Sequence, residues 1–352
     1  QKELELYIHI PFCVKKCSYC DFLSAPATEQ TREAYMAALF AEIGGRAKDY
    51  SDRTVTSIFI GGGTPSLLSG EQIGQLMDRI REQFAMAQDA EITMEVNPGT
   101  ASAEKLRNFY TAGINRLSIG MQSAQAEELK NLGRIHDFEG FCQVYREAVE
   151  AGFTNINVDI MSGLPGQTLA SYRDTLEKVL HLEPMPQHIS AYSLIVEEGT
   201  PFAAMAERGE LPLPEEETER AMYEETIEVL AKYGFHRYEI SNYARDGYEC
   251  RHNVGYWIRR DYLGFGIGAA SLIDNVRFQN EKSLGAYLAH PLESREEEQT
   301  LTVQDRMEET MFLGLRLTRG VSCVDFAEQY GRTVEEVYGE VIARNVADGL
   351  LT

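Results

Sequence analysis

Six short apolar runs, at 4–10, 55–60, 92–96, 116–119, 156–160 and 188–194, alternate with six segments of helical apolar spacing, at 28–48, 69–83, 102–112, 124–132, 138–151 and 169–182. This alternation limits the fold more than any other feature. Parallel strands cannot be joined by tight turns, so a strand, helix, strand repetition predicts a parallel sheet with crossover helices. A closed eight-stranded barrel takes about 250 residues, and these units fill only roughly the first 200, which predicts an open, partial (β/α)6 barrel over 1–212.

The rest of the chain reads differently. After Pro212 and Pro214, residues 215–233 form an acidic helical segment of the kind that usually presents a solvated face. A Tyr-, His- and Gly-rich stretch follows at 233–273, then an acidic linker at 293–298. Helical spacing returns at 303–315 and 321–349. We therefore expect an α+β extension over 213–298 and a small helical or winged-helix-like end domain over 299–352, its last wing cut short.

Charge narrows the function classes. Acidic residues number 55 against 33 Lys plus Arg, a net charge of −22 that repels phosphate backbones and anionic lipid, so no nucleic-acid partner is expected. No stretch approaches the ~18 apolar residues of a membrane helix. Gln1–Tyr7 alternates like a strand and lacks a signal-peptide profile, and Gln1 itself suggests a trimmed start. A cytoplasmic location is expected, with docking at a membrane through a protein partner left open.

Three of the six cysteines, Cys13, Cys17 and Cys20, fall within eight residues directly after the first strand run. That is a ligand set, since a disulfide framework suits small secreted chains. Three thiolates can hold three irons of a 4Fe–4S cube and leave the fourth open. The competing reading is zinc, which would need a fourth ligand such as His9. Cys142 and Cys323 sit on helical patterns and read as buried small hydrophobes, and His136 as a loop residue.

The CxxxCxxC loop, with the run Gly61-Gly62-Gly63-Thr64-Pro65 ending the second strand, resembles the radical S-adenosylmethionine (SAM) superfamily and its TIM-like partial barrel. The resemblance implies a 4Fe–4S cluster on Cys13, Cys17 and Cys20 and SAM chelating the open iron. It is strongest to the branch holding the oxygen-independent coproporphyrinogen III dehydrogenase, through Tyr7-Ile-His-Ile-Pro-Phe12, Met94-Glu95-Val-Asn-Pro98, Arg116-Leu-Ser-Ile-Gly-Met-Gln122, Arg134 and Asp159-Ile-Met-Ser-Gly-Leu-Pro-Gly-Gln167. By position it implies SAM contacts from Tyr7, Tyr19, Gly62, Gly63, Thr64, Glu95, Gln122, Arg134 and Asp159, and a loop at Gly266 and Ala270 closing over the cofactor. Independently, Glu95, Gln122 and Asp159 end different strands, where barrel sites gather.

Two departures matter. The dehydrogenase carries a further cysteine where this chain has Phe22, and it lacks the HNxxYW found here as His252, Asn253, Tyr256 and Trp257. Both are similar to the family's heme-chaperone branch, which implies heme as ligand, heme-accepting proteins such as respiratory enzymes as partners, an electron donor, and compatibility with a homodimer. Imidazole ligates heme iron and aromatic faces suit a macrocycle, while the same residues also fit ordinary core packing. Whether such a protein is an enzyme stays open, and no catalytic residue is assigned. The alternatives are radical decarboxylation of coproporphyrinogen propionates and anaerobic ring-opening methylation of heme.

Overall fold

Alternation of polarity along the strands sets the architecture. In the computed structural model, which describes residues 2–352, β1 (Lys2–Ile10) buries Leu4, Leu6, Ile8 and Ile10 on one face and carries Glu5, Tyr7 and His9 on the other. Gln1, where the expected strand began, lies outside the described residues. The same two-faced pattern runs through β2 (Arg53–Gly62), β3 (Ala85–Val96), β4 (Arg116–Gln122), β5 (Ile156–Ser162) and β6 (His188–Ser193). These strands pair in parallel in chain order.

Their apolar face is covered by α1 (Glu29–Arg46), α2 (Gly70–Gln83), α3 (Ala103–Thr111), α4 (Ala126–Leu132), α5 (Phe138–Ala151) and α6 (Leu169–Leu180). Local chemistry sets their ends. Ser69 and Gln72 cap α2 reciprocally, and Gly133 and Gly152 stop α4 and α5 in the left-handed region. The expected elements all form, but β3 starts at Ala85 rather than 92. None of its first residues, 85–89, is buried, and no long apolar run marks them.

The remaining elements are α7 (Pro201–Glu207), α8 (Glu216–Lys232), β7 (His236–Arg237), β8 (Asn242–Ala244), α9 (Arg251–Trp257), β9 (Tyr262–Phe265), β10 (Ala270–Ile273), β11 (Val276–Asn280), α10 (Leu284–Ala289), β12 (Arg295–Thr300), α11 (Val303–Gly314), α12 (Cys323–Tyr330) and α13 (Val334–Ala347). All strands join one sheet in the order β12-β11-β10-β9-β1-β2-β3-β4-β5-β6-β8-β7. β9 lies parallel to β1, and β8 runs antiparallel to β6, so the extension lengthens the barrel sheet at both edges.

Three expectations are corrected. Residues 293–298 are no linker, because 295–300 form β12, an exposed edge strand whose charges discourage further pairing. Cys323 is exposed and Cys142 only half-buried. The Gly266 segment packs behind β1: its N–H donates to Glu42 Oε2 at 2.9 Å and its carbonyl accepts from Asn280, while Ala270 is exposed on β10. The acidic α8 does face solvent along much of its length, but Met222, Thr226 and Leu230 pack inward, with Thr226 bonded to Tyr172 at 2.7 Å. Among the described residues no helix is long and apolar enough to cross a membrane.

Candidate functional site

The inward residues of an ordinary closed barrel are branched and apolar and fill it. Here they include Glu95, Arg116, Ser118, Asn157, Asp159 and Ser190, and they enclose a cavity of about 340 Å³ instead. The three cysteines, Tyr19, Gly62, Gly63, Thr64, Glu95, Gln122, Arg134, Asp159 and Asn253 all line it. Tyr7 stands one layer back, its ring 6.5 Å from Phe59 and its hydroxyl 3.0 Å from His9 Nδ1.

The thiol loop is braced from several sides. Cys13 N–H donates to Ala25 O, Ser18 N–H to Leu132 O, and His9 Nε2 meets Leu23 O at 2.8 Å. Burial pushes the Cys13 and Cys20 thiols upward and the Tyr19 phenol up to about 12. Arg134 spans the loop and the sheet, with Nη1 3.9 Å from Cys17 Sγ and Nη2 donating to Gly120 O at 2.9 Å. No three His, Cys, Asp or Glu side chains among the described residues converge as a single-ion site would need.

Opposite the loop, Glu95 Oε2 accepts the Gly62 N–H at 3.0 Å. Burial, reinforced by the Asp159 charge, pushes the Glu95 carboxyl up to about 8. Asp159 is itself raised by burial, although Ser118 and Asn157 donate to it. Gln122 has a φ of 68°, the left-handed region that a non-glycine residue rarely adopts, where the β4–β5 register shifts. The strain turns its backbone at the barrel mouth. Ser118, Asn157 and Ser190 were missed in the sequence, although strand alternation alone would have turned them inward beside Asp159.

The HNxxYW segment forms α9, and its position differs from an open ligand site. His252 is 1 % exposed, with Nδ1 bonded to Ser57 at 2.8 Å and Nε2 to the Tyr256 hydroxyl at 2.9 Å. Burial drives its pKa down to about 3. The Arg251 and His252 N–H groups donate to the Glu91 carboxylate, and a side chain on Gly255 would collide with Glu5. Trp257 carries the Arg316 guanidinium 4.2 Å over its ring. Of the four motif residues only Asn253 reaches the cavity, so the expectation that His252, Tyr256 and Trp257 present a ready surface is corrected. Both imidazole nitrogens are engaged in this fold.

The barrel and thiol loop define a radical SAM protein, and the Radical SAM superfamily pattern matches residues 7–179, with the HemN C-terminal domain pattern over 301–352. Heme chaperone HemW of Bacillus subtilis (strain 168) is 40% identical over 98% of this chain and 92% of its own length. That of Escherichia coli (strain K12) is 37% identical over 99% and 92%. The solved coproporphyrinogen III oxidase (HemN) of Escherichia coli superposes with a TM-score of 0.86 at 28% identity, covering 99% of this chain and 84% of that one. The chain belongs to the HemW family of the radical SAM superfamily, and that superfamily implies a 4Fe–4S cluster and SAM.

Proposed function

We propose that this chain binds heme and passes it to heme-accepting proteins such as respiratory enzymes, with a 4Fe–4S cluster and SAM held in the barrel. The observation that carries the reading is near full-length identity to proteins named heme chaperones. The cavity supports the cofactor part. Cys13, Cys17 and Cys20 would hold the cluster, which supplies one-electron chemistry when bound. Gly62, Gly63 and Thr64 offer close backbone approach, while Glu95, Gln122, Arg134 and Asp159 supply the polar wall. In this reading residues 1–212 hold the cofactors, 213–298 carry the heme segment, and 299–352 brace it through Arg259–Glu309, Arg277–Glu309 and Arg316–Trp257.

Heme would be held at the HNxxYW segment once α9 shifts enough to free His252 from Ser57 and Tyr256. The test is an anaerobic hemin titration of the cluster-reconstituted protein, followed at the Soret band, with coproporphyrinogen as competitor. Saturable one-to-one binding resistant to coproporphyrinogen is expected. Easy displacement would instead favour porphyrinogen decarboxylation.

A second prediction concerns the glycine run. A Cβ on Gly63 would lie 2.5 Å from the Phe12 carbonyl oxygen and 3.0 Å from that of Ile10, so backbone must yield. Gly63→Ala is expected to weaken SAM binding by about tenfold or more, or ~1.4 kcal/mol, measured by equilibrium dialysis. Unchanged affinity would remove this turn from the SAM site.

A further inference from the structure

Arg116 opens β4 inside the barrel, only 2 % exposed, yet its side chain lines the cavity. Other buried arginines are matched: Arg46 with Glu42 at 2.9 Å, Arg53 with Asp261 and Asp274 at 2.6 Å, Arg259 with Glu309 at 2.8 Å. Among the described residues no carboxylate stands within 4 Å of the Arg116 guanidinium. Its one hydrogen bond is a long 3.5 Å donation to Thr93 Oγ1, and Nε has no partner at all.

A guanidinium carries five donors and keeps its charge when buried, so leaving it unpaired in a protein interior is strongly unfavourable. The nearest carboxylates, Glu91 and Asp159, act on it through their charge alone, and their hydrogen bonds go elsewhere. Glu91 accepts from the Arg251 and His252 N–H groups, and Asp159 accepts from Ser118 and Asn157. The Cys250 thiol, pushed up to about 12 by burial, is neutral near pH 7. The cavity it lines also carries Ser118, Asn157, Ser190 and Asn253, a set rich in hydrogen-bonding groups, together with Glu95 and Asp159.

We propose that Arg116 is the receptor for a ligand carboxylate at the cavity floor, and that the carboxylate is a heme propionate. The planar fork matches a carboxylate in two parallel hydrogen bonds. Two ligands of this site carry carboxylates, heme and the methionyl end of SAM. Position favours heme. The thiol loop and Arg134 lie past the C-terminal strand ends, whereas Arg116 begins its strand opposite Thr93, two residues along β3 from Glu91, which holds the first N–H groups of α9. The choice of heme as the source rests on the heme-binding reading above; the receptor role does not.

The test titrates the cluster-reconstituted full chain, wild type, Arg116→Gln and Arg116→Lys, with heme, heme dimethyl ester and SAM. The wild type is expected to bind heme at least about tenfold more tightly than the diester, or ~1.4 kcal/mol. Arg116→Gln should bind the two alike with unchanged SAM affinity and iron content, and Arg116→Lys should recover part of the preference. Equal affinities for both heme and SAM in wild type and Arg116→Gln would overturn the proposal while leaving heme binding intact. Loss of SAM affinity alone would keep the receptor and overturn heme as its source. A wild type that binds no heme ends the heme reading, and the SAM arm then judges Arg116. If Arg116→Gln folds poorly, absence of a diacid-over-diester preference in the wild type overturns the assignment without it.

Discussion

Cys17→Ser is expected to abolish the cluster. After anaerobic reconstitution the wild type should carry about four irons and four sulfides, and the variant a small fraction of that, with loss of the broad visible absorption near 400 nm. Cys142→Ser serves as control, because Cys142 is half-buried on α5, away from the cavity. The physical basis is that the three thiols line one cavity wall on a loop pinned at both ends, with Arg134 beside Cys17. Undiminished iron in Cys17→Ser would place the metal elsewhere. One zinc and no iron in the wild type would restore the zinc reading.

The second large effect concerns His252. Replacing it by alanine leaves two buried hydroxyls, Ser57 and Tyr256, without their partner and opens a cavity behind Phe59. Each unsatisfied buried group costs about 1–3 kcal/mol, so the unfolding free energy should fall by about 3 kcal/mol in denaturant titrations. On the heme-binding reading proposed above, heme affinity should fall as well. Tyr256→Phe separates the two roles. It frees Nε2 while keeping the imidazole, so it should loosen α9 and leave heme affinity equal or higher, since less binding energy goes into opening the site. Retained heme affinity in folded His252→Ala would remove His252 as the ligand.

His252 also makes the fold acid-sensitive. Its folded pKa, about 3, lies below the ordinary 6.5, because burial beside Arg116 and Arg260 disfavours the imidazolium. The neutral ring's contribution is therefore complete above about pH 6.5 and is lost as pH falls toward 3, at up to ~1.4 kcal/mol per unit. His188, also held well below the ordinary value by burial, adds to the same limb. Buried Glu5 and Glu95 act in the opposite direction. Their carboxyls are raised to about 8, so the folded state keeps protons the unfolded chain has lost, and stability declines as pH rises from about 4.5 toward 8. In His252→Ala the acid limb of a stability-against-pH curve should flatten by about one proton while the alkaline limb is unchanged. An unaltered acid limb would mean that the imidazole is already charged in the folded protein.

The βα alternation, the open barrel and the thiol loop were legible because each is written in local order, whereas Arg116, Ser118, Asn157 and Ser190 of the cavity lining were not singled out. Strand and helix periods are properties of neighbouring residues, and CxxxCxxC places three thiols on one short loop whatever surrounds it. The extension could not be read that way. β9 joins β1 across more than 250 residues, and β12 is six exposed, largely charged residues whose strand identity comes only from pairing with β11. The HNxxYW residues likewise announce their types but not their orientation. Only the packing of α9 against Glu5, Ser57 and Glu91 encloses His252 and turns Asn253 to the cavity. Arg116 shows the same division: its sequence position marks a strand start, and only the assembled barrel reveals that its guanidinium has no hydrogen-bonded carboxylate. Local pattern depends on residues a few positions apart, whereas burial and charge pairing depend on which distant segments arrive beside them.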